Sequence, residues 1–587
     1  MIVLGINETH CATAAILRDG RVIGCASEER FTRLKNDAGY PRLAIDALLA
    51  ECGLTPADVD LVALSGARAA SREWLNRVLH DGEYGREYYG VSWPSRQRAL
   101  VKRVRKLGAK FGLIDASRGK FGISQRERLA LVTGHLPVSA ERIVCLDHHA
   151  CHAAAAYYGS GWHGDGADAL VLTNDNSGDG LCATASTGRG LALARREAAP
   201  SAAGSVGAFY SFVTLLLGMK FGEHEYKVMG LAPYANDGEA RRAEARLRAV
   251  FDLDEGQPAR FRWLAPGERY QLLLRATLGL RFDGIAGGAQ RLLEEILLRW
   301  TRLERERYGG PRLALGGGVF MNVKANLRIA EEEWVEDLFA FPSCGDESNA
   351  VGAAYLGYLG ECARLGIAPT PAPFGPAYLG PGLTDEAAEA VIRERRLEDR
   401  YAVAHHDRIE ERIAELLVSD GVVARCAGRM EFGARALGNR SILAHPSDHR
   451  VVPLINRMIK NRDFWMPFAP TILEDRAGEY LVNPKGLDSP YMMLAMPTRP
   501  EARAALTAAI HPQDGTARPQ ILKESWNPEY HAVIRAFERR TGVGGVLNTS
   551  FNLHGEPVVC SAADAVDTFE RSGLPHLALG HWLISKK

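Results

Sequence analysis

Nowhere does the sequence hold an apolar run long enough to cross a membrane, nor the layout of a signal peptide, so neither a spanning nor an exported protein is expected. No cysteine stands in a C-x-x-C pair. The ten cysteines are scattered, and Cys25, Cys145 and Cys426 lie inside apolar runs, which fits a reducing compartment. An excess of either charge is missing as well: 71 Lys and Arg face 71 Asp and Glu, which argues against a polyanion as the main partner. The expected location is cytoplasmic, with neither membrane nor nucleic acid among the partners. At 587 residues the chain exceeds a single core, so two large domains, or two and an insertion, are expected.

What is present centres on Asp147 to Gly180, DHHACHAAAAYYGSGWHGDGADALVLTNDNSGDG. Alanines flank Cys151 and His152, making the first part a good helix former. His148 and His152 at i, i+4 then share a face, ~6 Å apart along the axis, where one cation can take both. His149 stands i, i+3 from His152 and is an alternative partner. The run Ala169 to Thr173 is apolar and partly β-branched, as a buried strand requires, and it delivers Asn174-Asp175-Asn176 at its end, where α/β sheets place ligands. Far downstream, Phe341 to Asn349 puts Asp346 in a turn before another Ala/Gly-rich helix, as a fourth ligand candidate. Two imidazoles and two carboxylates suit Fe(II), Mn(II) or Zn(II), with a position left open for a substrate oxygen.

The first thirty residues read as strands joined by tight turns, with Asp19-Gly20 as a hairpin signal and Asn7-Glu8-Thr9-His10 as a polar turn. A helix over Pro41 to Cys52 and a strand over Val59 to Leu64 follow. From Arg68 to Arg128 fifteen Lys/Arg face six Asp/Glu, and this basic segment reads as an insertion. A nucleic-acid arm is the sharper reading; a solvated or oligomer-contact face is favoured, because the cations alternate with Leu and Val at helical spacing. Glu225 and Lys227, two apart, point to one side of an extended segment and could contact substrate or nucleotide. In RLALGGGVFMNVKAN a strand enters Gly316-Gly317-Gly318 and then a helix, which lets backbone amides approach a phosphate. Prolines 369, 371, 373, 376 and 381 mark a linker. Beyond it, four loops place Arg, Lys, Ser or Asn beside Gly or Pro: Gly428 to Ser441, Asn456 to Phe468, Asp514 to Arg518 and Asn548 to Asn552. Together they look like a pocket for a multiply charged phosphate ligand.

Ten stretches in order carry a resemblance: GINETHCATAAIL, SEERFTRLK, DHHACHAAAAYY, TNDNSGDG, EYKVMGLAPY, GGGVFMN, SCGDESNAVGAA, GRMEFGARALGNRSILA, DGTARPQ and LNTSFNLHGEP. They resemble the O-carbamoyltransferase family that includes the nodulation-factor, cephalosporin and tobramycin carbamoyltransferases. The resemblance implies an α/β protein with an N-terminal actin-like (ASKHA, threonylcarbamoyl-transferase-like) domain over residues 1–368, the insertion at about 68–128, and a C-terminal YrdC-like α/β domain over residues 377–587. It implies that carbamoyl phosphate and ATP, the latter with Mg, give carbamoyl-adenylate, phosphate and pyrophosphate in the C-terminal domain. The N-terminal domain would then pass the carbamoyl group to a hydroxyl, less readily an amine, of a small-molecule natural product.

Carried over by motif, His148, His152, Asp175 and Asp346 hold a divalent transition metal, Fe foremost, with Mn or Zn as alternatives. Gly316, Gly317, Gly318 and Asn322 cradle the adenylate, and Arg435, Lys460, Arg518 and Ser550 hold phosphates. Lys227, Arg440 and Arg462 join the substrate- and nucleotide-binding set, and His10, Lys460 and Arg435 are the catalytic residues. Two positions depart from the family pattern: Cys11 stands where Asp is common, and Met466 where Arg is common. A tRNA threonylcarbamoylation enzyme and a non-catalytic ATP-binding scaffold are the competing readings; a homodimer is left open.

Overall fold

The computed structural model describes residues 1–89, 91, 122–419 and 421–587. The densest part of the basic insertion, from Arg96 to Lys106, lies outside the described residues.

The fold is mixed α/β. Strands Ile2–Asn7, Thr13–Arg18 and Arg21–Ser27 form an antiparallel meander, and Leu61–Ser65 and Ile143–Leu146 extend it in parallel from the first strand. Asp19 and Gly20 both adopt left-handed backbone, φ 48° and 84°, as a two-residue hairpin turn requires. A second sheet repeats this order and orientation with Ala169–Gly178, Leu181–Arg189, Ala192–Pro200, Arg312–Gly316 and Asp337–Ala340. Its first strand runs past Thr173 to Gly178, so Asn174-Asp175-Asn176 lies within an irregular strand end instead of beyond it.

Two helices fill the space between the sheets. His148–Ser160 follows the last strand of the first sheet and packs on the second; Asn349–Leu365 follows the last strand of the second and packs on the first. They also pack on each other, and small residues permit the close approaches: a Cβ on Gly352 would lie 1.8 Å from the Cys151 carbonyl oxygen of the other helix, and one on Gly5 of the first strand 1.9 Å from that of Ala350. The crossing brings the N-termini of both helices to one place, beside Asn174 to Asn176.

The C-terminal part holds an eight-stranded sheet, in order Ala402–His405, Trp582–Ser585, His576–Leu579, Val422–Cys426, Arg440–Ala444, Gly545–Ser550, Ala469–Leu473, Gln520–Leu522. Strand alternation supplies two cores. Val422, Ala424 and Cys426 face helices Asp385–Glu394 and Ala562–Arg571, whereas Val423 faces Ile409–Ser419 and Pro528–Thr541. Helices thus cover both faces.

The proline-rich segment has no regular structure between Leu365 and Gly382, yet it is no free tether. Ala372 N donates to Gly20 O, Phe374 N to Gly159 O and Met430 N to Pro381 O, and Phe374 is buried against Phe341 and Phe432. Proline removes ladder donors but leaves carbonyls and rings to pack, so this segment joins the two parts. No described helix is long and apolar enough to cross a membrane.

Candidate active site

At the crossing of the two helices, one atom from each of His148, His152, Asp175 and Asp346 lies within 4.8 Å of all the others. His148 Nε2 is 3.1 Å from His152 Nε2, 3.4 Å from Asp175 Oδ2 and 3.5 Å from Asp346 Oδ1. Neighbouring groups hold each ligand. The Ser348 hydroxyl donates to Gly345 O and lies 3.2 Å from His152 Nδ1, so it accepts the Nδ1 proton and leaves the Nε2 lone pair facing inward. Asp175 Oδ1 accepts Gly318 N at 3.2 Å and Asp346 Oδ2 lies 2.9 Å from the Thr9 hydroxyl; the other oxygen of each points into the cluster. This donor set fits a divalent transition ion. His149 does not belong to it, because its Nδ1 is tied to Thr173 Oγ1 at 2.8 Å on the far side.

The electrostatics agree with that fit. Burial opposes charge on His148, but the carboxylates of Asp346 and Asp175 overcome it and lift its pKa to about 9. Burial pushes His152 down, helped by the charge of His148, and takes His149 down to about 3. Against burial, the imidazoles hold Asp175 well below the usual carboxylate range. Such a cluster demands positive charge at its centre.

His10 sits in the turn after the first strand. Asn7 Nδ2 donates to the carbonyls of His10 and Cys11, at 2.9 and 3.2 Å, and Cys11 takes a left-handed φ of 55°. Its Sγ lies 3.3 Å from His10 Nδ1. Burial, then the nearby Glu347, Glu29 and Asp346, pushes the Cys11 thiol well up, so it stays protonated.

Across the same space is a group of cations. Lys460, 2% exposed, donates from Nζ to Ser550 Oγ at 3.1 Å and to Asn552 Oδ1 at 2.7 Å. Arg462 donates to Thr549 Oγ1 at 3.2 Å and lies over the Phe468 ring. Among the described residues none of Arg435, Lys460, Arg462 and Arg518 forms an ion pair with a carboxylate. Burial, then neighbouring positive charge, drives Lys460 and Arg518 well below their ordinary values. An arriving polyanion would relieve this.

One cavity of about 2300 Å³ is lined by His10, His148, Asp175, Asp346, Gly318, Asn322, Arg435, Lys460, Arg462, Met466, Arg518 and Ser550. Several expected residues are placed elsewhere. Arg440 is fully buried in the core, with donors on Cys560 O at 3.0 Å and Ala427 O at 2.7 Å, so it pins loops and does not reach the cavity. Lys227 pairs with Asp463 at 3.1 Å. Gly316 and Gly317 pack on the backbones of His152 and Asn174, where a Cβ would lie 2.8 and 2.3 Å from their carbonyl oxygens; only Gly318 faces the cavity. Asn322 caps helix Val323–Ala330, accepting from Ala325 N at 3.0 Å.

The sequence reading missed three supports. Asp179 takes the amides of Ala67, Arg68 and His148. Glu431 takes those of Leu437, Asn439 and Arg440 and so shapes the loop that presents Arg435. Arg128, assigned to a solvated insertion, is instead 1% exposed, bonded to Glu8 and to Gly66 O at 2.9 Å, anchoring the His10 turn. Glu8 within the polar turn was the available signal for that pair.

Comparison with known proteins matches residues 2–355 to the carbamoyltransferase N-terminus and residues 414–586 to the carbamoyltransferase C-terminus. The chain belongs to the carbamoyltransferase family. The chain is 31% identical to nodulation protein NolNO of Sinorhizobium fredii, over 98% of the chain and 79% of that protein. It is 34% identical to nodulation protein NolO of Bradyrhizobium diazoefficiens, over 75% of the chain and 79% of that protein. Full-length HypF in its phosphate- and nucleotide-bound form is similar at a TM-score of 0.32, with 12% identity over 60% of the chain and 55% of that structure. At that score it decides nothing about the fold.

Proposed function

We propose that this carbamoyltransferase uses carbamoyl phosphate and ATP, makes a carbamoyl-adenylate, and passes the carbamoyl group to a hydroxyl of a small molecule. The supporting observation is one cavity lined both by His10, His148, Asp175 and Asp346 and by the four cations Arg435, Lys460, Arg462 and Arg518. In the first half-reaction carbamoyl phosphate loses phosphate to one water, and the carbamate oxygen attacks the α-phosphorus of ATP with release of pyrophosphate. Lys460, Arg435, Arg462 and Arg518 hold the phosphates and balance charge on the leaving group. In the second, the acceptor oxygen bonds the carbamoyl carbon, the C–O bond to the adenylate breaks, AMP leaves with the electron pair, and His10 takes the acceptor proton. Gly318 N and Asn322 border the adenylate. A divalent cation on His148, His152, Asp175 and Asp346, iron in the first instance, would supply Lewis acidity there.

In this reading residues 1–368 form an actin-like unit, supported by the duplicated sheet order, and residues 377–587 a YrdC-like unit. The protein acts in the cytoplasm. Incubation with ATP, carbamoyl phosphate and a panel of alcohols should release pyrophosphate and give products one carbamoyl group heavier. Absence of pyrophosphate from every mixture overturns the proposal.

A further inference from the structure

The acceptor is the one reactant that the residues above leave unplaced. On one wall of the cavity, the amphipathic helix Arg72–His80 turns Trp74, Leu75 and Val78 toward the space, where a surface helix would ordinarily pack them on a core. Its cations face elsewhere: Arg72 Nη2 is 2.7 Å from Asp37, and the Arg77 guanidinium lies over the Tyr84 ring at 4.2 Å. Facing this stripe, Tyr89 stacks on Phe221 with centroids 3.9 Å apart and planes 20° apart, and Phe212 meets Phe221 edge-on at 5.3 Å. All of these rings and side chains line the cavity that His10 and the His/Asp cluster share.

Four of the carboxylates bordering the space already hold protein partners. Asp179 takes three backbone amides, Glu223 pairs with Lys35 and Lys220, Glu29 accepts Asn36 N, and Glu225 accepts Gly222 N. Asp179, held by three amides, and Glu223, paired with two lysines, are poor partners for an ammonium-bearing acceptor. A flat apolar body, in contrast, matches the rings.

Resting on the carbamoyl transfer proposed above, we infer that this wall is the acceptor subsite and that the acceptor is a hydroxyl carried on an aryl or similarly flat hydrophobic body, not an aminosugar. The hydroxyl end reaches His10 while the apolar body leaves water against Tyr89, Phe221 and Trp74.

The full-length protein, supplied with ATP and carbamoyl phosphate, is tested with 2-(1-naphthyl)ethanol and with glucosamine, carbamate being measured by mass. The aryl alcohol should give the higher kcat/KM. Tyr89→Ala should raise its KM at least ten-fold with kcat little changed, and Tyr89→Phe, which keeps the stacked ring, should restore KM. Preference for glucosamine, or an unaltered KM in Tyr89→Ala, overturns the inference. Pyrophosphate release without carbamoylation of the aryl alcohol overturns the inference alone; no pyrophosphate release at all brings down the proposed function with it.

Discussion

His10 is the residue whose replacement should separate the two half-reactions, because only the second needs a proton removed from the acceptor. His10→Asn keeps a polar side chain and removes the titrating nitrogen, so acceptor carbamoylation should fall by roughly 10² to 10⁴ while pyrophosphate release continues. Loss of both activities together would make His10 a structural residue. A second prediction concerns Gly178. A Cβ there would lie 2.0 Å from the His148 ring, so Gly178→Ala must displace that imidazole. Bound divalent metal, measured by elemental analysis of the purified protein, should drop below a tenth of an equivalent while the far-ultraviolet circular dichroism is kept. Full metal content in that variant would remove His148 from the ligand set. Residue types at helical spacing made the two imidazoles legible, since i, i+4 on an Ala-rich helix leaves few other arrangements. Arg435 and Arg440 show the opposite case. Five residues apart, they look alike in sequence, yet Arg435 on the loop reaches the cavity and Arg440, at the start of the following strand, is buried among carbonyls.

At the scale of single elements, the helix Phe282–Tyr308 carries a titrating group that the chemistry does not use. Glu304 is fully buried, and burial, with Glu197 nearby, lifts its pKa to about 7 despite Arg307 Nη1 at 3.6 Å. An unfolded chain releases this proton near 4.5, so between about pH 4.5 and 7 the folded state holds a proton that the unfolded state has lost. Stability therefore declines as pH rises through that window and levels off above it, by roughly 3 kcal/mol at most. Glu304→Gln should remove this dependence: its melting temperature should exceed that of the parent at pH 8 and approach it at pH 5. Equal differences at both values would exclude Glu304 as the source. Among the elements, the early hairpin, the helix at Arg42–Glu51 and the strand at Arg312–Gly316 could be read directly, because turn chemistry and periodicity are local. The strand ending at Gly178 outran its apolar run, since ladder pairing with Leu181–Arg189 holds polar residues in strand geometry.

For the molecule as a whole, the Pro-rich segment and the Glu28–Asn36 segment, with its short helix Glu29–Thr32, bind the two parts. Arg30 donates to Gly433 O at 2.7 Å, and Arg33 to Val558 O and Pro557 O at 2.8 and 2.9 Å. Aromatic rings of Phe341, Phe374, Phe432 and Tyr491 pack across the same boundary. Scanning calorimetry should accordingly show one cooperative transition; two well-separated peaks would mean that the parts unfold independently. Lys460→Ala should stop pyrophosphate release in the full chain, and unchanged release would move the first half-reaction away from the cation cluster.

Sequence alone determined the family, and it supplied the candidate site residues and several of the local elements that bear them, because ordered motifs and short periodicities survive without knowledge of contacts. Only the tertiary structure decided which of those residues meet. Two helices cross closely at Gly352, one of them seated on the first strand at Gly5, and that arrangement places Asp346 beside His148 although the two stand far apart in sequence. Local contacts elsewhere keep Arg440, Lys227, Gly316 and Gly317 out of the cavity lining and bring Arg128 under the His10 turn. Burial and the choice of partner are properties of three-dimensional packing, so no pattern along the chain encodes them by itself.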